Sequence, residues 1–294
     1  MWHRIALTAA FLVSAPAWAD CPPEGTDAAS LRLLKEQKFA MEDAAARDAL
    51  AIGLVDCLSD PDPEVRDGIA YEAITAWLRG DQLAEPVRRQ LLERLYAQLE
   101  GKDPEGFTHP FAALMLSEVA RTDRLQPWLG ADERADMVKR ATRYLASVND
   151  YRGFDAKEGW RHGVAHGADW LLQLASNDQV NRDQVEQILA ALTLQIVPEQ
   201  PHAYVFGEPG RLARPVIFIA RRGVLSDAEW QAWFTGLPQR LGNQEQAYRD
   251  VAWLARRHDL IAFLGSLYLE ADQSADAKVQ ALKPAVVAGI KAVP

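Results

Sequence analysis

The chain is 294 residues long and carries 32 Lys and Arg against 41 Asp and Glu, a net charge of −9 at pH 7. No run of basic residues interrupts that balance, which argues against nucleic acid or an anionic membrane surface as a partner. A hydrophobic content of 49% over this length suffices for one large core or one repeat array.

The first residues read as an export signal. Met1-Trp2-His3-Arg4 is a short charged region, 5–13 is apolar, and Ala17-Trp18-Ala19 puts small residues at the −3 and −1 positions. Cleavage after Ala19 is expected, leaving 20–294 as a single helical domain. The apolar run is about half the length a membrane-spanning helix needs, so no membrane anchor is expected. Ala19-Asp20-Cys21 lacks the small residue directly before cysteine that a lipoprotein requires. These features predict a periplasmic or secreted protein. The chain has two cysteines, Cys21 and Cys57, and in an oxidising compartment an isolated pair forms a disulfide. Without a Cys-x-x-Cys spacing, a cysteine metal site is disfavoured.

From residue 30 onward nearly every segment shows helical periodicity, separated by short Pro, Gly and Asp punctuation. Helices are expected over 30–39 and 44–58. Asp60-Pro61-Asp62-Pro63-Glu64-Val65-Arg66 then breaks the chain and restarts it, with Pro63 suited to a first turn and acids near the N-terminus. That turn looks like the one that opens the second helix of a HEAT-type repeat. Further helices follow over 86–99, 107–121, 131–148, 160–175, 181–196 and 214–222. Ser226 and Glu229 then form a capping box for 226–237, and helices over 244–257, 260–269 and 275–291 close the chain. Residues 216–219 would also suit a strand, but Pro215 before them and Gly223 after them favour a short buried helix. The expected fold is all-α: a HEAT-like α-solenoid or irregular array of antiparallel helix pairs. Two connections, 149–159 and 197–211, are longer than helix hairpins need. The second holds His202, Tyr204, Phe206 and Glu208, so both are places to look for ligand contacts.

Chemistry concentrates between Asp150 and Trp170. On a helix from about Trp160, His162, His166 and Asp169 fall at i, i+4 and i+7, within roughly a 60° arc. Val164, Ala165, Ala168, Leu171, Leu172 and Ala175 form an apolar face about 130° away. Gly163 and Gly167 lie between the faces, where another helix or a ligand can come close. Two imidazoles one turn apart with a carboxylate a turn further on match the ligand spacing of a divalent metal, and Asp150 or Asp155 can complete the shell or orient a histidine. His162 or His166 with Asp169 also suits acid/base work. The competing reading is that these groups hydrogen-bond each other and the long loop and fix the junction between repeats. Trp160 and Trp170 are expected to pack between helices rather than form a sugar platform. Arg152 either grips an anion or pairs with Asp150 and Asp155. No P-loop, Rossmann, Gly-x-Ser-x-Gly or EF-hand motif is present.

Asp150-Tyr151-Arg152-Gly153-Phe154, followed by Gly159-Trp160-Arg161-His162-Gly163-Val164-Ala165-His166-Gly167-Ala168-Asp169, resembles the D-x-R-G-[YF] … K-G-W-x-H-x-x-A-H-x-A-D signature of bacterial domain-of-unknown-function family 2785. Phe107 to Leu114 resembles that family's F-T-R-S-F-S-A-L helix start, with His109 and Pro110 in place of Arg and Ser. The likeness runs from about Cys57 to Leu269. It implies an all-α, HEAT-like architecture and carries over no catalytic residue.

Together these features predict an exported helical-repeat protein that binds a small ligand, peptide or protein partner. The candidate ligand-binding residues are Asp150, Arg152, Trp160, His162, His166 and Asp169. The alternative is a metal-dependent, hydrolase-like enzyme using His162, His166 and Asp169, with a divalent metal as cofactor.

Overall fold

A computed structural model describes residues 21–294; the leader expected over 1–19 and its cut after Ala19 lie outside those residues. The chain opens with α1 (Ala28–Glu36), α2 (Ala44–Cys57) and α3 (Pro63–Val65), continues through a π-helical stretch (Arg66–Tyr71), and reaches α4 (Glu72–Arg79) and α5 (Glu85–Glu100). α6 (Thr108–Leu125) and α7 (Ala131–Ser147) follow, then a two-stranded hairpin of β1 (Phe154–Asp155) and β2 (Gly159–Trp160). After it come α8 (Gly163–Ala175), α9 (Arg182–Ile196), α10 (Glu208–Arg222), α11 (Asp227–Gly236), α12 (Val251–Gln273), α13 (Ala277–Gln280) and α14 (Lys283–Ala292). The fold is all-α; the hairpin is the only sheet among the described residues.

Most helix starts are set by short polar side chains that accept the otherwise unpaired first-turn N–H groups. Asp62 accepts from Glu64 N ahead of Pro63, and Ser226 with Glu229 closes the expected capping box at α11. Asp103 does more: its carboxylate accepts the N–H groups of Gly106, Phe107, Thr108 and His109 at 2.9–3.1 Å, which fixes the entry to α6.

Alternate helices pack side by side. α4, α6, α8, α10 and α12 form one row in that order, and α7 backs onto both α8 and α9. α8 sits mid-row and is covered from every side: of its residues only Gln173 is not buried. The two glycines make that possible on the α7 side. A Cβ on Gly167 would lie 3.0 Å from both Leu145 Cδ1 and Tyr144 Cε1, and one on Gly163 would lie 3.3 Å from the Tyr144 hydroxyl. The close approach expected at these glycines is made by α7, whose Tyr144 hydroxyl donates to Gly163 O at 3.3 Å.

Several boundaries differ from the sequence expectation. The central helix begins at Gly163, not Trp160, because Gly159 (φ 74°) and His162 (φ 56°, ψ 39°) both adopt left-handed backbone. Residues 149–159 are accordingly not a plain loop. Their hairpin continues past the strands, with Arg161 N–H donating to Gly153 O at 3.0 Å and His162 N–H to Arg152 O at 3.1 Å. α10 starts at Glu208, six residues before the expected Arg214, and runs through Pro215. Near the C-terminus, 244–257 and 260–269 are not two helices. Asp250 caps a single helix, α12, and Pro284 at the start of α14 separates it from α13.

One buried aromatic ties the first third of the chain to the hairpin. The Phe107 ring lies between two guanidinium groups, Arg66 and Arg161, each 4.1 Å from its centroid. Arg66 is fully buried and donates to Asp60 O at 2.9 Å and Glu158 O at 2.8 Å, with Asp67 at 2.8 Å neutralising its charge. Arg161 donates to Glu105 O at 2.8 Å and pairs with Glu158 at 2.9 Å. A buried arginine needs its charge and most of its donors matched, and these two are held that way around one ring, although Arg66 Nε is buried without an acceptor.

The expected disulfide is present: Cys21 and Cys57 are bonded, with Cα atoms 5.2 Å apart and a sequence separation of 36. No helix among the described residues is long and apolar enough to cross a membrane. Closing a loop of this size stabilises the fold by up to about 4 kcal/mol through the unfolded chain. Thiol titration of unfolded, unreduced protein should therefore find no free cysteine. Dithiothreitol should lower the urea midpoint, and an unchanged midpoint would mean that the bridge carries no stability.

Candidate functional site

Where the hairpin meets α8, four rings form a column. Trp160 lies on His162 with centroids 4.7 Å apart and planes at 21°, His166 follows at 5.9 Å, and the Phe206 edge points at Trp160 from 6.0 Å. Trp160 and its strand partner Phe154 keep 37% and 50% of their surface exposed, and Val205, next to Phe206 in sequence, keeps 71%. Exposed aromatic groups clustered on loop tips are where an apolar patch acquires a use. The packing expected for the two tryptophans holds for Trp170, which is fully buried, and fails for Trp160, which stands on the hairpin instead of on a helix.

The loop that carries Phe206 is held by buried carboxylates. Asp259 on α12 accepts Tyr204 N–H at 2.8 Å, and Glu208 accepts Phe206 N–H at 2.9 Å. The Tyr204 hydroxyl donates to Gln195 O at 3.0 Å, and Gln195 in turn donates to Leu145 O and Val148 O at 2.9 Å. Phe206 then lies directly against the hairpin. A Cβ on Gly153 would sit 2.0 Å from its ring, so only glycine fits there. Between the two loops lies an open cleft of about 650 Å³, lined by Tyr151, Phe154, Glu158, His202 and Phe206 among others.

The two histidines are neutral. Burial and the nearby Arg211 guanidinium push His162 down to about 4, and the Phe206 backbone offsets this only in part. His166 is held well below the ordinary value by burial, His162 and Arg211. Its Nδ1 is 3.1 Å from Pro110 O, and a carbonyl only accepts, so Nδ1 carries the proton and Nε2 keeps a lone pair. His162 Nε2 is buried without a hydrogen-bond partner, and the Glu208 carboxylate is 3.6 Å away. Burial raises the Glu208 carboxyl, and it pushes Asp259 up to about 7.

Asp169 does not face the histidines. Its carboxylate accepts from Arg211 Nε at 2.9 Å and lies 3.8 Å from Arg214, both on α10. His162 has left the helix on which the i, i+4, i+7 spacing depended. Among the described residues no group of three or more His, Cys, Asp or Glu side chains is placed to hold a metal ion. The ligand geometry expected for a divalent metal at His162, His166 and Asp169 is therefore not assembled. Asp150 and Arg152 are brought together away from the ring column: Arg152 Nε donates to Asp150 at 2.9 Å and its Nη2 to Glu105 O at 3.2 Å. Asp155 instead accepts Lys157 and Glu158 N–H within its own turn. Sequence reasoning missed Arg211, Arg214 and Asp259. The arginines were legible as a helical stripe once α10 is begun at Glu208, whereas Asp259 carries no local signal.

These features define an all-α helical array with a ring-lined loop site at its central helix. A family profile described as "Protein of unknown function (DUF2785)" matches residues 95–269, well over half of the chain, and the chain belongs to that family. The match begins inside α5, later than the Cys57 start expected from the motifs. No curated protein and no solved structure matches the chain.

The pKa directions set a pH dependence of stability. A histidine kept neutral in the fold binds its proton first in the unfolded chain. Stability is thus full above about pH 6.5 and falls as pH drops toward 4, by at most about 1.4 kcal/mol per pH unit for each ring. Asp259 acts oppositely: its raised carboxyl costs nothing below about pH 4, and the cost is complete above about pH 7. In urea titrations His162→Gln should lose less stability than wild type between pH 7 and 5. Asp259→Asn should gain roughly 1–3 kcal/mol at pH 8 and nothing at pH 4. Parallel pH profiles for wild type and variants would refute both assignments.

Proposed function

We propose that this is a binding protein whose ligand presents a flat ring or apolar group to Trp160, Phe154 and Phe206 at the mouth of the cleft between the two loops. One observation carries the reading: an exposed indole is stacked on a buried, neutral His162 that is itself held in left-handed backbone. Strained backbone outside glycine costs roughly 1–3 kcal/mol, and it persists where surrounding structure enforces it, commonly at a ligand site. The rest of the site supports recognition more than turnover. Its aromatic surface is preformed, so a ligand meets rings already held by Gly153, Glu208 and Asp259.

Saturation-transfer NMR with a mixture of monosaccharides, aromatic acids and tripeptides tests the reading. Wild-type protein should contact ring-bearing fragments, and the Trp160→Ala/Phe154→Ala double variant, folded by circular dichroism, should lose the signal by about tenfold, as expected on removing an aromatic anchor. Equal signals in both proteins, or none in the wild type, would sink it.

We also infer that the protein works outside the cytoplasm. The Cys21–Cys57 disulfide supports this, because such bridges persist in oxidising compartments. Protein recovered from the periplasm or medium of an expressing bacterium should begin at Asp20. Intact chains retained in the cytoplasm would contradict export.

A further inference from the structure

The solvent face of the central helix row carries a connected set of charged groups running from α4 to α10. Arg79 on α4 donates to Glu118 on α6 at 2.6 and 2.8 Å. Arg124 on α6 donates to Gln173 on α8 at 3.0 Å, and Asp169, one turn before Gln173, takes Arg211 and Arg214 from α10. Each contact crosses between neighbouring helices of the row, and Arg79, Arg211 and Arg214 keep 54%, 34% and 51% of their side chains exposed, so this is the outward face.

The charges on it do not cancel. Arg211 and Arg214 share the single Asp169 carboxylate, Arg124 meets only an amide, and Arg121 beside it has no acidic partner among the described residues. Glu118 and Asp169 are the acids in direct contact with the arginines of this set, and both are already engaged. The face is therefore cationic in a chain whose net charge is −9. The sequence hides this because the arginines are spread over three helices and gather only when the row forms.

Their spread decides the class of ligand. Helices of one row are about 8–10 Å apart, so the arginines of α6 and α10, with α8 between them, are separated by roughly two such steps. A free phosphate or small carboxylate spans about a quarter of that distance, whereas an extended chain covers it in about six residues at ~3.3 Å each. Duplex nucleic acid presents a far denser charge than this handful of arginines matches, and the acidic remainder of the chain repels it.

We propose that the outward face of the α4–α6–α8–α10 row binds an extended acidic peptide segment, its carboxylates paired with Arg121, Arg211 and Arg214. Arginine suits the task because its planar fork takes carboxylates bidentately. Asp169 holds Arg211 and Arg214 oriented before the segment arrives. The proposal rests on the reading that this is a binding protein.

The test uses fluorescence anisotropy on the full mature chain, with fluorescein-labelled Phe-Glu-Asp-Glu-Asp-Glu-Asp and its Gln/Asn isostere as probes. The acidic peptide should bind in about 25 mM NaCl and weaken by about tenfold in about 250 mM, since exposed charge pairs are screened over that range. The isostere should not bind. Arg121→Glu/Arg214→Glu, with circular dichroism unchanged, should weaken the acidic peptide by about tenfold or more. The proposal is overturned by equal affinity for the isostere, by an unaffected double variant, or by tenfold tighter binding of a single-stranded oligonucleotide. If the acidic peptide fails while ring fragments still contact Trp160, this proposal alone falls; if both fail, the binding reading falls with it.

Discussion

Covering α8 from all sides presses its polar groups toward partners on neighbouring elements, although the buried Trp170 indole N–H has none among the described residues. The backbone at Gly163 meets Tyr144 of α7, the His166 ring meets the Pro110 carbonyl of α6, and Asp169 meets the α10 arginines. These are directional contacts made in three different directions. They set the rotation of α8 about its axis as well as its depth, and with it the spot where the hairpin must join. The ring column and the cationic face both follow from how this one helix is seated.

The same constraint explains why so polar a motif sits in so buried a place. Transferring a charged imidazole into the interior is costly, so His162 and His166 are kept neutral and one backbone carbonyl selects the proton position on His166. Beside these rings, burial also raises Glu208, 3.6 Å from His162 Nε2, and Asp259 on α12. Those two carboxylates hold adjacent stretches of one loop and so convert desolvation into a defined loop shape. The stability cost is concentrated where the aromatic surface is presented, a common pattern for sites organised ahead of ligand arrival.

Helix existence was legible because apolar periodicity and caps are local: Asp62 with Pro63, and Ser226 with Glu229, do in the structure what their spacing predicts. The glycine-mediated approach to α8 was legible too, since two mid-helix glycines need a compensating neighbour. The start of α8 was not. His162 continues the helical spacing in sequence, yet the hairpin pulls it into left-handed backbone through the Arg152 carbonyl, a tertiary effect with no local mark. The metal geometry expected from that spacing failed for the same reason. The long C-terminal helix was read as two because polar residues near His258 interrupt the apolar pattern, while the buried Asp259 side chain accepts from a loop 55 residues earlier.

The sandwich of Phe107 between Arg66 and Arg161 bears on where this domain can be cut. The family match starts at residue 95, yet Arg66, which covers one side of the Phe107 ring and donates to the Glu158 carbonyl of the hairpin, lies before that point. At the other end the match stops at residue 269, short of α14, which packs against α11 and α12. A fragment trimmed to the matched span would expose an aromatic ring and strip a carbonyl of its donor at the base of the hairpin. The region that defines the family is therefore narrower than the unit that folds, and its most recognisable motif leans on residues outside it.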